Sequence, residues 1–173
     1  VGVGVEKRPA VPDILKNSCL GIAVNIVMRY GQLMSRLISL RHAQATDVSV
    51  VGAKAASLAR LLRDRVPVMP GVVIPAGALH EHLREQGWLE RASAADESFA
   101  DEIASSTLSP ELAGDLRQAV GALGERLVVR SSAVSEDGPH ASWAGQLETV
   151  LGVRPGDQTE RAVLACWASA FRG

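Results

Sequence analysis

The chain has 173 residues, of which 47% are hydrophobic and 21% are charged, and its net charge is -1. A disordered chain combines low hydrophobicity with high net charge, so this composition excludes global disorder and predicts about one folded domain. Because acidic and basic residues nearly balance, nothing in the composition suggests a polyanion, and we expect no nucleic-acid partner.

Near the start of the chain, an apolar run from Cys19 to Met28 follows the basic pair Lys7 and Arg8. The run is much shorter than the roughly 20 residues that span a bilayer, and polar residues and prolines separate it from the basic pair. We therefore expect neither secretion nor membrane insertion. Cys19 and Cys166 are too few for a disulfide framework and lack a second ligand cluster, so we expect no metal site and a cytoplasmic location.

The chain changes character near Thr46. Before that point, apolar residues recur at helix-like spacing, which favours one or two helices between residues 14 and 40. The apolar residues with this spacing are Leu33, Met34, Leu37, Ile38 and Leu40. We predict a helical extension of unknown role over residues 1–46 and a second unit over residues 47–173.

Helices and strands alternate along this second unit. Helices are predicted over residues 53–63, 77–86, 97–105, 110–123 and 159–171, and extended segments over residues 68–74, 126–131 and 146–153. Ser109 and Pro110 suit the N-cap and first position of the fourth helix. The mixture indicates an α/β (α+β) fold.

Gly52, Ala53 and Lys54 form the first candidate site. A glycine before a helix permits close approach of a ligand, and the free amides of a helix start attract anions. Lys54 would add a compact positive charge for phosphate. A solvated lysine at a helix start is the structural alternative, and the residues themselves leave both open.

The predicted strand over residues 126–131 runs into Arg130, Ser131 and Ser132, which form the second candidate. Ligands of open α/β sheets bind beyond strand ends, and arginine is well suited to phosphate oxygens. The alternative is a salt bridge from Arg130 to Glu136 or Asp137.

The third candidate is the turn-rich segment over residues 135–146, which surrounds Trp143 with small residues. Such a segment is either a functional loop or a surface loop anchored by its tryptophan. The histidines add little, because His80 and His82 point to different faces of a predicted helix and cannot form an i,i+4 metal pair.

Taken in order, these segments resemble one family: phosphoenolpyruvate synthase, pyruvate phosphate dikinase and rifampicin phosphotransferase. The resemblance covers about residues 48–173. It is carried by the segments Gly52–Leu58, Val66–Pro75, Val129–Ala133 with Glu136–Asp137, Ala141–Thr149 and Cys166–Phe171.

The resemblance implies the N-terminal half of an ATP-grasp nucleotide-binding domain. It implies that Lys54 and Arg130 contact ATP phosphates, with Arg130 in the catalytic role, and that Ser131, Ser132 and Gln146 are neighbours of the ligand. In the family, a β-phosphoryl group passes from ATP to a histidine on a separate domain and then to the acceptor. Mg²⁺ is implied, with ligands that we do not assign in this chain.

The chain departs from the family pattern at Ala53, Trp143 and Leu147. The later acidic metal ligands, the phosphohistidine domain and the acceptor domain have no counterpart in the sequence. We therefore expect a fragment of a longer phosphotransferase, inactive alone. The alternative is a catalytically inactive remnant that acts as a binding or assembly module.

Overall fold

A computed structural model describes residues 21–24, 36–94, 97–121, 123–133 and 148–172 of the chain. Predictions that concern other residues, including the whole segment over residues 135–146 with Trp143 and Gln146, lie outside the described residues.

Within the described residues, five strands form one antiparallel sheet. They are β1 (Gly21–Val24), β2 (Ile38–Ser39), β3 (Val72–Ile74), β4 (Leu127–Ser132) and β5 (Thr149–Val153). The spatial order is β2-β3-β1-β4-β5, so β4 lies between β1 and β5.

The helical prediction for residues 14–40 is wrong where the structure describes them, because Gly21–Val24 and Ile38–Ser39 are strands. The burial of Leu37, Ile38 and Leu40 explains the error. Leu37 packs into one hydrophobic cluster, whereas Ile38 and Leu40 pack into another. A short extended segment that is buried on both faces has no polar alternation and can imitate the spacing of a helix.

Six α-helices cover most of the remaining described residues. They are α1 (Val48–Val51), α2 (Ala53–Arg63), α3 (Ala76–Glu85), α4 (Glu97–Ser105), α5 (Pro110–Gly121) and α6 (Asp157–Ser169), with 3-10 turns at Ala43–Thr46 and Arg91–Ala94. The five predicted helices are confirmed, apart from small shifts at their ends. The Ser109 hydroxyl accepts a hydrogen bond from the Leu112 amide at 3.4 Å, which confirms the predicted cap.

The two faces of the sheet carry different cores. One face, which includes Leu127 and Val129, contributes to a large core that contains Trp167, Phe99 and Leu116. The other face contributes Val73 to a smaller cluster, whose helical members are Val51, Ala55, Ala56 and Ala59. The mixed helix and strand class is thus confirmed. No helix in the described part of the chain is long and apolar enough to cross a membrane.

Candidate functional site

The start of helix α2 is bonded directly to the end of strand β4. The Ala53 amide donates to the Ala133 carbonyl oxygen at 2.9 Å. Two residues later, the Ala55 amide donates to the Ser132 hydroxyl oxygen at 3.0 Å, and this bond is buried. The first and second candidate sites, which are almost 80 residues apart in sequence, therefore meet where β4 ends. This end of the interior strand β4 is the edge of the sheet referred to below.

Gly52 permits this close approach. Its φ angle is +78°, in the region that favours glycine, and it is the N-cap residue of α2. A Cβ atom at this position would overlap the carbonyl oxygen of Ser132 and lie 2.5 Å from the Ser132 carbonyl carbon and hydroxyl oxygen. The predicted role of Gly52 was close approach of a ligand, but the backbone that it admits is that of the neighbouring strand.

The sequence predicted a helix start with free amides, but residues at the end of β4 occupy two of these amides. Ala53 and Ala55 occupy the first and third positions of α2, and strand residues already accept from both of their amides. A helix start attracts anions most strongly through amides that have no protein partner. Binding of an anion at this edge would therefore depend more on the side chains around the helix start than on the amides of Ala53 and Ala55.

Lys54 and Arg130 lie at this same edge. Lys54 sits between the two helix residues that bond to the end of β4. Side chains alternate along a strand, so Arg130 shares a face with Ser132, which is the face that receives α2. The Arg130 Nε atom is buried and has no hydrogen-bond partner among the described residues. The alternative partners Glu136 and Asp137 lie outside the described residues.

Ser131 and Ser132 are both buried and both have partners within the protein. Ser132 is 0% exposed and receives the Ala55 amide. Ser131 is 1% exposed, and its amide and hydroxyl donate to the Glu148 carbonyl oxygen at 3.3 and 3.4 Å. Both serine hydroxyls therefore bond to protein atoms, and of the two serines only Ser132 shares a strand face with Arg130.

Glu148 is fixed by further bonds from helix α6. The Cys166 thiol donates to the Glu148 carbonyl oxygen at 3.5 Å, and the Glu148 amide donates to the Ser169 hydroxyl at 3.2 Å. Burial, with a smaller contribution from the nearby Glu148 carboxylate, raises the pKa of Cys166 to about 12. Cys166 is 0% exposed and its thiol bonds within the protein, so its position is that of a structural residue.

His82 is buried and hydrogen-bonded within the core, which its sequence spacing from His80 did not predict. Its Nε2 atom is 2.9 Å from the Ser106 hydroxyl, and its ring lies 5.3 Å from the Trp167 ring. Because Ser106 donates its own proton to the Ile103 carbonyl oxygen, the Ser106 oxygen accepts from His82. Burial lowers the pKa of His82. Among the described residues, no group of three or more His, Cys, Asp or Glu side chains could hold a metal ion.

Basic side chains beside a helix start at a sheet edge are typical of phosphate-binding proteins. The family described as "Pyruvate phosphate dikinase, AMP/ATP-binding domain" matches residues 48–173. The chain belongs to this family.

Curated relatives carry related names. A probable phosphoenolpyruvate synthase of Staphylothermus marinus is 32% identical over 149 residues, which cover 72% of this chain and 18% of the relative. A rifampicin phosphotransferase of a Streptomyces species is 35% identical over 159 residues, which cover 78% of this chain and 18% of the relative. An uncharacterized phosphotransferase of Bacillus subtilis, YvkC, is 36% identical over 141 residues, and the match covers 79% of this chain and 16% of the relative. The matched part of the chain spans less than a fifth of each relative.

Proposed function

We propose that this chain is the ATP-binding portion of a phosphoenolpyruvate-synthase-like phosphotransferase, with Lys54 and Arg130 as the residues that hold the ATP phosphates. The main support is the hydrogen bonding of the α2 start to the β4 end, since Lys54 lies between the bonded residues Ala53 and Ala55, and Arg130 lies two residues before Ser132. The family match supports ATP as the ligand. Gln146 would be a further contact, and an ATP-grasp fold and a cytoplasmic location belong to the same proposal.

The two cations suit the needs of phosphoryl transfer. This reaction needs little covalent chemistry from the protein and depends on positioning and on stabilisation of the charge that spreads over the phosphate oxygens. Lys54 would supply a compact charge, and Arg130 a planar fork that can bind two oxygens at once. The unpartnered Nε of Arg130 is consistent with such a role, because buried polar atoms normally have partners.

Mg²⁺, when bound, neutralises phosphate charge in this class of reaction. The described residues include no cluster that could hold a metal ion, so we assign it no ligand among them. The phosphoryl acceptor would be a histidine on another domain of the complete enzyme. Within this chain, buried His82 is unsuited to that role, because its ring is enclosed beside Trp167.

The experiment that tests the proposal uses the small number of lysines. The chain contains three, at positions 7, 16 and 54, so ¹³C-labelled lysine side chains give a few resolved NMR signals. A titration with MgATP should shift the Lys54 signal, which is assigned from the spectrum of Lys54→Arg. Arg130→Ala should weaken the apparent affinity roughly 10-fold or more, because hydrogen bonds to charged groups contribute about 1.5–3 kcal/mol.

Arg126→Ala is the matched control. Arg126 directly precedes β4 but is exposed, so its loss should leave the ATP affinity within about twofold. The proposal is wrong if millimolar MgATP leaves the Lys54 signal unmoved, or if the two arginine variants weaken binding equally. The first outcome would favour the alternative of a binding or assembly module without nucleotide function.

A further inference from the structure

Helix α2 lacks a cap from its own sequence. Its N-cap residue is Gly52, which has no side chain, and no hydrogen bond from an N-cap side chain satisfies the first turn. The amides of a helix's first turn need partners from outside the helix, and Ser, Thr, Asp or Asn at the N-cap normally supply one. In this chain, the partners come from a strand distant in sequence.

Ser132 supplies the missing cap across the fold. Its hydroxyl oxygen accepts from the Ala55 amide at the third helical position, which is the amide that a local N-cap serine commonly satisfies. The adjacent Ala133 carbonyl oxygen accepts from the Ala53 amide at the first position. We infer that Ser132 is a positioning residue for Lys54, which caps helix α2 from strand β4 and thereby fixes the lysine relative to Arg130.

Two further observations support this role. Ser132 is 0% exposed, and its hydroxyl is directed to the start of α2 and not to solvent. Gly52 lies so close to the Ser132 backbone that a Cβ atom at position 52 would overlap it. The cap from Ser132 therefore requires glycine at position 52. The small residues at both positions hold the helix against the strand, and Lys54 follows Gly52 by only two residues.

The inference rests on the proposed function for what Lys54 binds, but the cap itself can be tested without ATP. Ser132→Ala removes the hydroxyl, and Ser131→Ala is the matched control, since Ser131 is an adjacent buried serine whose hydroxyl donates to Glu148. Amide hydrogen exchange should accelerate at Ala55 by about tenfold or more in Ser132→Ala, beyond any change in the rest of α2. It should not do so in Ser131→Ala.

The ¹³C signal of Lys54 reports on positioning. Without nucleotide, this signal should shift in Ser132→Ala and stay in place in Ser131→Ala. With MgATP, Ser132→Ala should weaken the affinity several-fold. If Ser132→Ala does not fold, Ser132→Cys replaces the hydroxyl with a weak acceptor of similar size and should show the same local acceleration at Ala55.

The outcomes separate the two proposals. If the wild-type chain does not bind ATP, the proposed function fails, and the exchange at Ala55 and the Lys54 signal still decide on the cap. If Ser132→Ala accelerates Ala55 exchange no more than Ser131→Ala, the cap is wrong. If the cap is lost but the Lys54 signal and the ATP affinity are unchanged, Ser132 is a structural residue with no positioning role.

Discussion

The two faces of the sheet are built from side chains of different size. On one face, Trp167, Phe99 and Leu116 fill a large core between the sheet and helices α4, α5 and α6. On the other, α2 presents the small residues Ala55, Ala56 and Ala59. Large buried side chains contribute most of the hydrophobic stabilisation, whereas alanines contribute less and allow a closer approach. The difference indicates that one face provides most of the hydrophobic stabilisation, whereas the other holds α2 close to the sheet.

Among substitutions that test this difference between the two faces, Leu116→Ala should cause the largest loss of stability. Leu116 is fully buried in the large core, and its truncation leaves a cavity, so we expect a loss of about 2–5 kcal/mol in the free energy of unfolding. The same change at Leu151, which is 72% exposed, should cost less than about 0.5 kcal/mol. Chemical denaturation of both variants measures the difference, and equal losses would contradict the assignment of Leu116 to the large core.

Ala59→Leu should have the next largest effect, through the opposite change. Ala59 is 0% exposed on the face of α2 that packs on the sheet, and the larger leucine side chain there should destabilise the fold by about 1–3 kcal/mol, because a close-packed region cannot absorb it. Ser57→Leu, at an exposed position of the same helix, is the control and should be nearly neutral. A neutral Ala59→Leu would mean that α2 does not pack closely on the sheet.

The smallest effect concerns pH and belongs to the large core. The folded pKa of His82 is lowered, so below the unfolded value of about 6.5 the unfolded chain binds a proton that the folded chain does not. Stability should therefore fall as pH decreases from about 6.5 towards the folded pKa, by at most about 1.4 kcal/mol per pH unit for this one proton.

Denaturation at a series of pH values, with wild type and His82→Gln, measures this effect. The cavity beside His82 is also lined by Arg36, Glu81 and Glu85, so these side chains must stay unchanged in the comparison. The variant should lose this part of the pH dependence, whereas His80→Gln on the same helix should keep it. An unchanged slope in His82→Gln would contradict the assignment.

The sequence predicted the local elements of residues 47–173 well wherever the structure describes them. Helices α2 to α6 follow from apolar spacing and caps, and β4 follows from a continuous apolar run. The short strand β2 was missed, because the apolar residues in and around it, Leu37, Ile38 and Leu40, are buried in two different clusters and show no regular polar alternation.

The candidate site was predicted only in part. Lys54 and Arg130 were singled out separately, and their placement at one edge follows from the bond between Ala55 and Ser132, which are 77 residues apart. No local spacing encodes a contact of that separation. The same reason explains why the buried pair of His82 and Ser106 could not be found from the sequence.

The attachments at Ala133 and Glu148 have a practical consequence for protein engineering. The Ala133 carbonyl oxygen accepts from α2, and the Glu148 carbonyl oxygen accepts from Ser131 and Cys166. Both ends of the span over residues 134–147 are thus held through main-chain oxygens, which every amino acid possesses. Stretches of equal length from other members of the family can therefore replace the span without redesign of its two junctions.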